Sequence, residues 1–332
     1  MKNRHFSNNG VEVSRIGIGA MSFSNFYGAV SRDEVFAILD TARDLGVNHI
    51  DTADIYGKGA SETHIGAYLS KNPEAREFFH IASKGGITDR SDPSRLFNNE
   101  AGYLEDQLNA SLARLCVEKI DIYYVHRRDI SVPIEEVTET LAAFVRSGKI
   151  AGFGFSEISP TSLRAAHEVH PVAALQSEYS LSTRTPELGV IQTCSALNTT
   201  FVAFSPVGRS LLTDKPHHRD RAVAIPFLAN NPRFMEPNLS QNIKFTSNFR
   251  ILASDIGLTS AGLAISWCLA KGNHILPIPG TRNIDHFKEM VAGSEHILTS
   301  TELKEVENVL PIGWVDGDRY SEAQWKGPER YA

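Results

Sequence analysis

Cysteine is scarce: three residues in 332, Cys116, Cys194 and Cys268, far apart and odd in number. They form no CxxC pair and no disulfide framework, which excludes a stapled scaffold and points to a reducing compartment. Positive charge is not in excess. Thirty-three Lys and Arg stand against thirty-nine Asp and Glu, a formal net charge of −6. No basic stripe with interleaved aromatics offers a footprint for nucleic acid. Long apolar runs are missing too. The richest, Gly262 to Ala270, is too short to span a bilayer. Met1-Lys2-Asn3-Arg4-His5-Phe6 lacks the apolar core of a signal peptide. The expectation is a cytoplasmic protein that meets neither nucleic acid nor membrane. A complete dinucleotide fingerprint is also absent. Gly17-Ile18-Gly19 begins one, but the third glycine is not there, so a doubly wound nucleotide-binding sheet has little support. Metal-ligand sets are lacking as well. His217-His218 and the pair His167 and His170 each want a third ligand, so no metal site is expected.

What is there is a rhythm of short apolar runs and amphipathic stretches, the pattern of βα units around a parallel sheet. Eight runs can be counted: Arg15 to Ala20, Asn48 to Asp51, His80 to Lys84, Asp121 to Val125, Lys149 to Phe155, Val172 to Gln176, Thr200 to Phe204 and His274 to Ile278. Between them Ser31 and Glu34 form a capping box for a helix whose apolar face is Val35, Ile38, Leu39, Ala42 and Leu45. Leu104, Leu108, Leu112 and Leu115 line a later helix. Pro133 and Pro160 mark helix starts, Thr259 caps a helix through Ala270, and Gly272 closes it. Eight strands with intervening helices predict one domain over residues 1–332, a (β/α)8 TIM barrel. Asn9-Gly10 is a turn signal for a short N-terminal β-hairpin before it. Pro206 to about Gln241 and the tail after Leu310 show no period and are expected as long loops.

In such a barrel the reactive groups stand at the C-terminal ends of the strands. Those ends carry Asp51, Lys84 and His126, with Tyr56 five residues beyond Asp51 in a glycine-containing turn. Taken singly, each has an ordinary structural explanation. Together at successive strand ends they describe the reduction of a carbonyl. Hydride addition builds negative charge on oxygen, and a general acid must deliver a proton there. Tyrosine is a weak acid near neutrality. A lysine ammonium lowers its pKa, and a carboxylate holds that lysine in place. Histidine can donate to the carbonyl oxygen and orient it. Pro277 to Arg282 leads from the eighth strand into a helix. Gly280, Arg282 and His286 there suit an anion at a helix N-terminus, and a 2′-phosphate in particular, hence NADP rather than NAD.

At this point the sequence resembles the aldo-keto reductase superfamily over about Val11 to Ile312. The matching motifs are the run from Gly46 to Gly57, Ser83-Lys84, Asp121 to His126, Gly152 to Glu157, Gln176 to Leu181, Phe204 to Arg209 and Ile278 to Arg282. Gly154-Phe155-Ser156-Glu157 and the run Gln176 to Leu181 resemble most a branch of plant, fungal and bacterial oxidoreductases with pyridoxal-reducing and alkaloid-aldehyde-reducing members. The resemblance implies a catalytic tetrad on Asp51, Tyr56, Lys84 and His126, and NADPH/NADP+ bound without a Rossmann fold. It implies that Gly19, Ala20, Met21 and Asp51 line the cofactor. Ser156, Glu157 and Gln176 would meet the carboxamide, and Phe204 would stack on the nicotinamide. Ser205, Pro206, Val207 and Gly208 would touch the pyrophosphate, and Gly280, Arg282, His286 and Glu289 would hold the adenosine phosphate end.

The chain departs from common members of the family at four positions. Glu157 and Met290 stand in place of Asn, Phe204 in place of Tyr, and Arg127 in place of Trp. The substrate, a small carbonyl compound, would meet Phe23 to Tyr27, Arg127, Arg128, the segment Pro206 to Gln241 and the tail near Tyr320. Aromatic or anionic aldehydes fit that composition. Two alternatives stay open: a regulatory subunit resembling potassium-channel β subunits, and an NADP-dependent alcohol dehydrogenase running oxidatively.

Overall fold

A computed structural model describes residues 4–6, 11–88 and 95–332. Two short strands, β1 (Arg4–Phe6) and β2 (Val11–Val13), pair antiparallel as the expected hairpin. Its turn at Asn9-Gly10 lies outside the described residues. Eight parallel strands follow: β3 (Ile18–Gly19), β4 (His49–Asp51), β5 (His80–Gly85), β6 (Ile120–Val125), β7 (Ile150–Ser156), β8 (Ala174–Glu178), β9 (Thr200–Phe204) and β10 (Ile275–Ile278). Each pairs with its sequence neighbour. The backbone N–H groups of Gly17 and Gly19 donate to Pro277 O and Pro279 O, both at 2.9 Å, and close the ring between first and last strands. This is the (β/α)8 barrel the alternation predicts.

Alternation along each strand sorts the side chains. Ala82, Ile122, Tyr124, Ala174, Val202, Leu276 and Ile278 fill the barrel interior, and Val13 of the hairpin packs with them. Ile50, Ile81, Tyr123, Phe153, Phe155, Leu175 and Phe201 belong to the larger apolar layer that includes the helices. Gly154 must be glycine, because a Cβ there would stand 2.3 Å from Ala174 O and 2.6 Å from the Tyr124 ring. Counting on by twos puts Asp51, Lys84, His126, Ser156, Gln176 and Phe204 on the inward face at the strand exits.

The helix signals are met at most positions. Ser31 and Glu34 form their capping box, Ser159 caps the helix that Pro160 opens, and Thr259 accepts from Gly262 N. Leu104, Leu108 and Leu115 are buried as expected. The helix Ser260–Ala270 is apolar all round because residues 260 to 269 are all buried. Gly272 does not close it. Lys271 is the C-cap in right-handed geometry, and Arg4 reaches across to take the carbonyls of Gly272 at 2.6 Å and Leu269 at 3.3 Å.

Pro206 to Gln241 is not a structureless loop. It folds into the short helices Arg219–Val223 and Pro226–Ala229, with single turns at Gly208–Ser210 and Pro232–Phe234, around a small core of Leu211, Ala222, Ile225, Leu228, Phe234 and Leu239. Helices of three to five residues are too short to print a 3.6-residue period. The helix Asn238–Ile256 begins inside the same segment. It escapes notice because its buried face includes Asn242 and Thr246. The tail after Leu310 carries no helix but is folded down on the C-terminal face, where Trp314, Arg319, Tyr320 and the last residue, Ala332, are buried.

Candidate active site

The barrel brings Asp51, Tyr56, Lys84 and His126 together. Lys84 is completely buried, and its Nζ bonds the Asp51 carboxylate, Thr52 O at 2.7 Å and Tyr56 Oη at 3.3 Å. Gln176 Nε2 donates to the second Asp51 oxygen at 2.7 Å. A connected line thus runs from Gln176 through Asp51 and Lys84 to the Tyr56 hydroxyl. The Tyr56 and His126 rings meet edge to face with centroids 5.9 Å apart.

The charges follow from these contacts. Burial works against the Lys84 ammonium, but Asp51 and Tyr56 outweigh it and hold its pKa above the ordinary value. Tyr56 differs from the sequence-based expectation. Burial raises its pKa above 10, and the pull of Lys84 only partly offsets this, with Asp51 adding to the rise. The hydroxyl therefore keeps its proton. Burial, then the charges of Arg127 and Lys84, push His126 well below the usual histidine range. Its imidazole is neutral and has one N–H to donate.

Around this centre the expected cofactor residues divide. Ser156 Oγ accepts from Arg127 Nη1 at 3.0 Å at the exit of β7. Phe204 is half-buried at the exit of β9. Beyond it Ser205, Gly208, Arg209 and Ser210 all have positive φ (51°, 58°, 52° and 95°). Gly19 packs against the strand-end loop, where a Cβ would stand 2.7 Å from Ile278 O. Arg282 opens the helix Ile284–Glu295, donates to Ala29 O at 2.6 Å and has no ion pair among the described residues. His286 is exposed and Glu289 half-buried on that helix, while Met290 is a core residue.

Glu157 needs a correction. Its carboxylate is held by Arg319 of the tail, at 2.9 Å for Nη1, and accepts Glu178 N at 2.8 Å. The side chain is held by the tail and by the backbone of Glu178. Sequence reasoning missed this clasp. It also missed the cluster behind it, in which Glu178 pairs with Arg209 and lies 3.6 Å from Arg233. Asp54 is a further buried group, pushed up to about 7 by burial and then by the charge of Glu62.

This geometry can be set beside known proteins. The profile of the Aldo/keto reductase family matches residues 15–311. The chain belongs to the aldo/keto reductase family. An aldo-keto reductase of Schizosaccharomyces pombe, designated as using NADP(+), is 35% identical, with 93% of this chain and 92% of that protein covered. A probable aldo-keto reductase of Glycine max is 36% identical over 94% of this chain and 89% of its own. Among solved structures, a glycerol dehydrogenase from Gluconobacter oxydans superposes with a TM-score of 0.79 at 27% identity, covering 90% of this chain and 92% of that one. An aldo-keto reductase from Klebsiella pneumoniae in complex with NADPH shares the fold, with a TM-score of 0.73 at 21% identity, covering 96% of this chain and 99% of that one. The protein is thus an oxidoreductase of the aldo/keto reductase family, and Asp51, Tyr56, Lys84 and His126 stand together at the exits of its barrel strands.

Proposed function

We propose that this enzyme reduces aldehydes or ketones to alcohols with NADPH, and that Tyr56 is the proton donor. The observation that carries the reading is the line of bonds from Gln176 through Asp51 and Lys84 to Tyr56, with the ring of neutral His126 edge to face with that of Tyr56.

The residues present fit NADPH. Ser205, Gly208, Arg209 and Ser210 are left-handed, and the sharp turns they make just beyond β9 suit a pyrophosphate at that strand exit. Arg282, with no ion pair among the described residues, suits the 2′-phosphate beside a helix N-terminus. Gln176 keeps its carbonyl oxygen and Ser156 its hydroxyl for the carboxamide, and Phe204 offers a ring face to the nicotinamide. Gly19, Ala20 and Met21 line the mouth between them, with His286 and Glu289 at the adenosine end.

The bound cofactor supplies a hydride to the carbonyl carbon. His126 donates its one N–H to the carbonyl oxygen and fixes its direction. As negative charge grows on that oxygen, Tyr56 passes its phenolic proton to it. The Lys84 ammonium, 5.0 Å from the centroid of the Tyr56 ring and 3.3 Å from its oxygen, stabilises the phenolate left behind. Asp51 and Gln176 keep Lys84 in position. Replacing Tyr56 by Phe removes the proton and preserves the ring. Tyr56→Phe is expected to lower kcat by about 10²–10⁴-fold, the usual worth of general acid catalysis, with NADPH binding by fluorescence little changed. Turnover comparable to the parent would refute the assignment.

A further inference from the structure

Arg127 leaves β6 directly after His126 and is half-buried. Its guanidinium is fixed on one side only. Nη1 donates to His126 O at 2.6 Å and to Ser156 Oγ at 3.0 Å, and its own carbonyl accepts Asn99 Nδ2 at 3.1 Å. The tail passes over its stem, since a Cβ on Gly327 would lie 3.1 Å from Arg127 Cδ. The other edge of the guanidinium, Nε with Nη2, has no hydrogen-bond partner among the described residues, and no carboxylate lies within ion-pair distance.

That is unusual for its surroundings. Arg209 and Arg233 have Glu178, Arg319 has Glu157, and Arg128 has Glu329 at 3.6 Å. Glu157, Glu178 and Glu329 each have another arginine as ion-pair partner, and Arg127 acts on Glu157 through its charge alone. A guanidinium held rigidly and half out of water, with its bidentate edge unused, matches a carboxylate in both charge and shape. It stands next to the residue that would orient the carbonyl. Its charge is also felt at Tyr56 and at Tyr320. Tyr320 is buried in an edge-to-face row with Phe227 at 6.3 Å and Trp325 at 5.5 Å between centroids, and the guanidinium groups of Arg209 and Arg319 stack on these rings, so those two arginines are held in place while the outer edge of Arg127 is not.

We infer that Arg127 is a substrate-binding residue that takes the carboxylate of the substrate, so that the preferred substrates are carbonyl compounds carrying an anionic group. This rests on the reductase reading above and narrows its substrate class.

The test compares 4-formylbenzoate with its methyl ester, which differ in charge and share the ring and aldehyde. For the parent enzyme, kcat/KM for the acid should exceed that for the ester by about 10–100-fold, the range of a charge-assisted hydrogen bond. In Arg127→Met that ratio should fall to about one, chiefly through KM of the acid, and Arg127→Lys should restore part of it. A ratio near one in the parent, or one that survives in Arg127→Met, would overturn the inference. If neither compound is turned over, the reductase reading fails by itself. Calorimetric titration of the NADP+-loaded protein with terephthalate then decides the Arg127 assignment separately. Binding that is lost in Arg127→Met supports it, and absent or unaltered binding overturns it.

Discussion

Removing Arg319 should detach the tail without unfolding the barrel. Glu157 is fully buried and Arg319 is 3% exposed. Taking away one partner of a buried, hydrogen-bonded ion pair costs about 3–5 kcal/mol, because the other charge is left unpaired out of water. In Arg319→Leu the Glu157 carboxylate keeps only the Glu178 N–H. Water can reach it if the tail lifts, so the cost falls on tail docking. At about 1.4 kcal/mol per tenfold, a loss of about 3 kcal/mol raises the open fraction about 100-fold. Other anchors oppose release. Glu329 N donates to Glu157 O at 2.9 Å, the Glu329 carboxylate takes Ser159 N at 2.9 Å, and Asn231 Nδ2 donates to Arg319 O at 2.6 Å. These keep the parent tail closed and give the opening a measurable equilibrium. Trypsin cleavage after Lys326 or Arg330 follows the open population when reclosing is fast. Arg319→Leu is therefore expected to be cut in the tail about 100-fold faster or more, with the urea midpoint of the barrel little moved. Adding Glu157→Gln removes the stranded charge, so the double variant should recover most of the protection. A single variant cut at the parent rate, or a double variant no better protected than the single, would refute the reasoning.

Because burial holds Tyr56 above its ordinary value, activity should show no alkaline fall below about pH 9. Lys84→Met removes the charge that pulls Tyr56 down, so any alkaline limb should move further up as the rate drops, and a limb moving to lower pH would contradict this. Arg282→Ala should raise the dissociation constant for NADPH more than that for NADH, measured by fluorescence titration; equal effects would remove Arg282 from the 2′-phosphate. His49 is pushed down to about 3, first by burial and then by His80, from an unfolded value of 6.5. Its folded pKa is depressed, so the stability it contributes is complete above pH 6.5 and is lost as pH falls toward 3. In urea titrations His49→Phe should gain on the parent by about 1.4 kcal/mol per pH unit across that window; parallel curves would show that His49 is not the cause.

The barrel and the convergence of Asp51, Tyr56, Lys84 and His126 were legible because both rest on local pattern. Asp51, Lys84 and His126 each end a short apolar run, and strand alternation turns all three inward. Tyr56 is placed by the glycine-containing turn that follows Asp51. Long-range partners were not legible. Glu157 and Arg319 are 162 residues apart, and nothing in the periodicity near either one couples them. Position alone made Glu157 look like a cofactor contact. Gly272 resembled a helix stop by composition, but Arg4 from the far end of the chain satisfies those carbonyls. The pKa of Tyr56 went the other way from the pairwise argument because burial, which a sequence does not display, is the larger effect.

On the proposed function, one-residue spacing at the strand exits separates chemistry from selectivity. His126 and Ser156 end adjacent strands and face inward. The next residues, Arg127 and Glu157, carry opposite charges, and only Glu157 is claimed by the tail. Glu157 has φ 57° and Ser205, just beyond β9, has φ 51°. Left-handed geometry in residues with a Cβ costs on the order of 1 kcal/mol or more, and it persists where surrounding contacts hold it. At Glu157 those contacts are Arg319, Glu178 N and Glu329 N. A slip of one residue in β7 would put Glu157 inside the barrel and Ser156 under the tail. The clasp therefore anchors the end of the strand that holds Ser156, whose register its ladders with β6 and β8 set, and Ser156 in turn holds the guanidinium of Arg127. Loosening the tail should disturb substrate preference before it disturbs the tetrad, since Lys84 and Asp51 are bonded to β8 and the barrel interior and not to the tail.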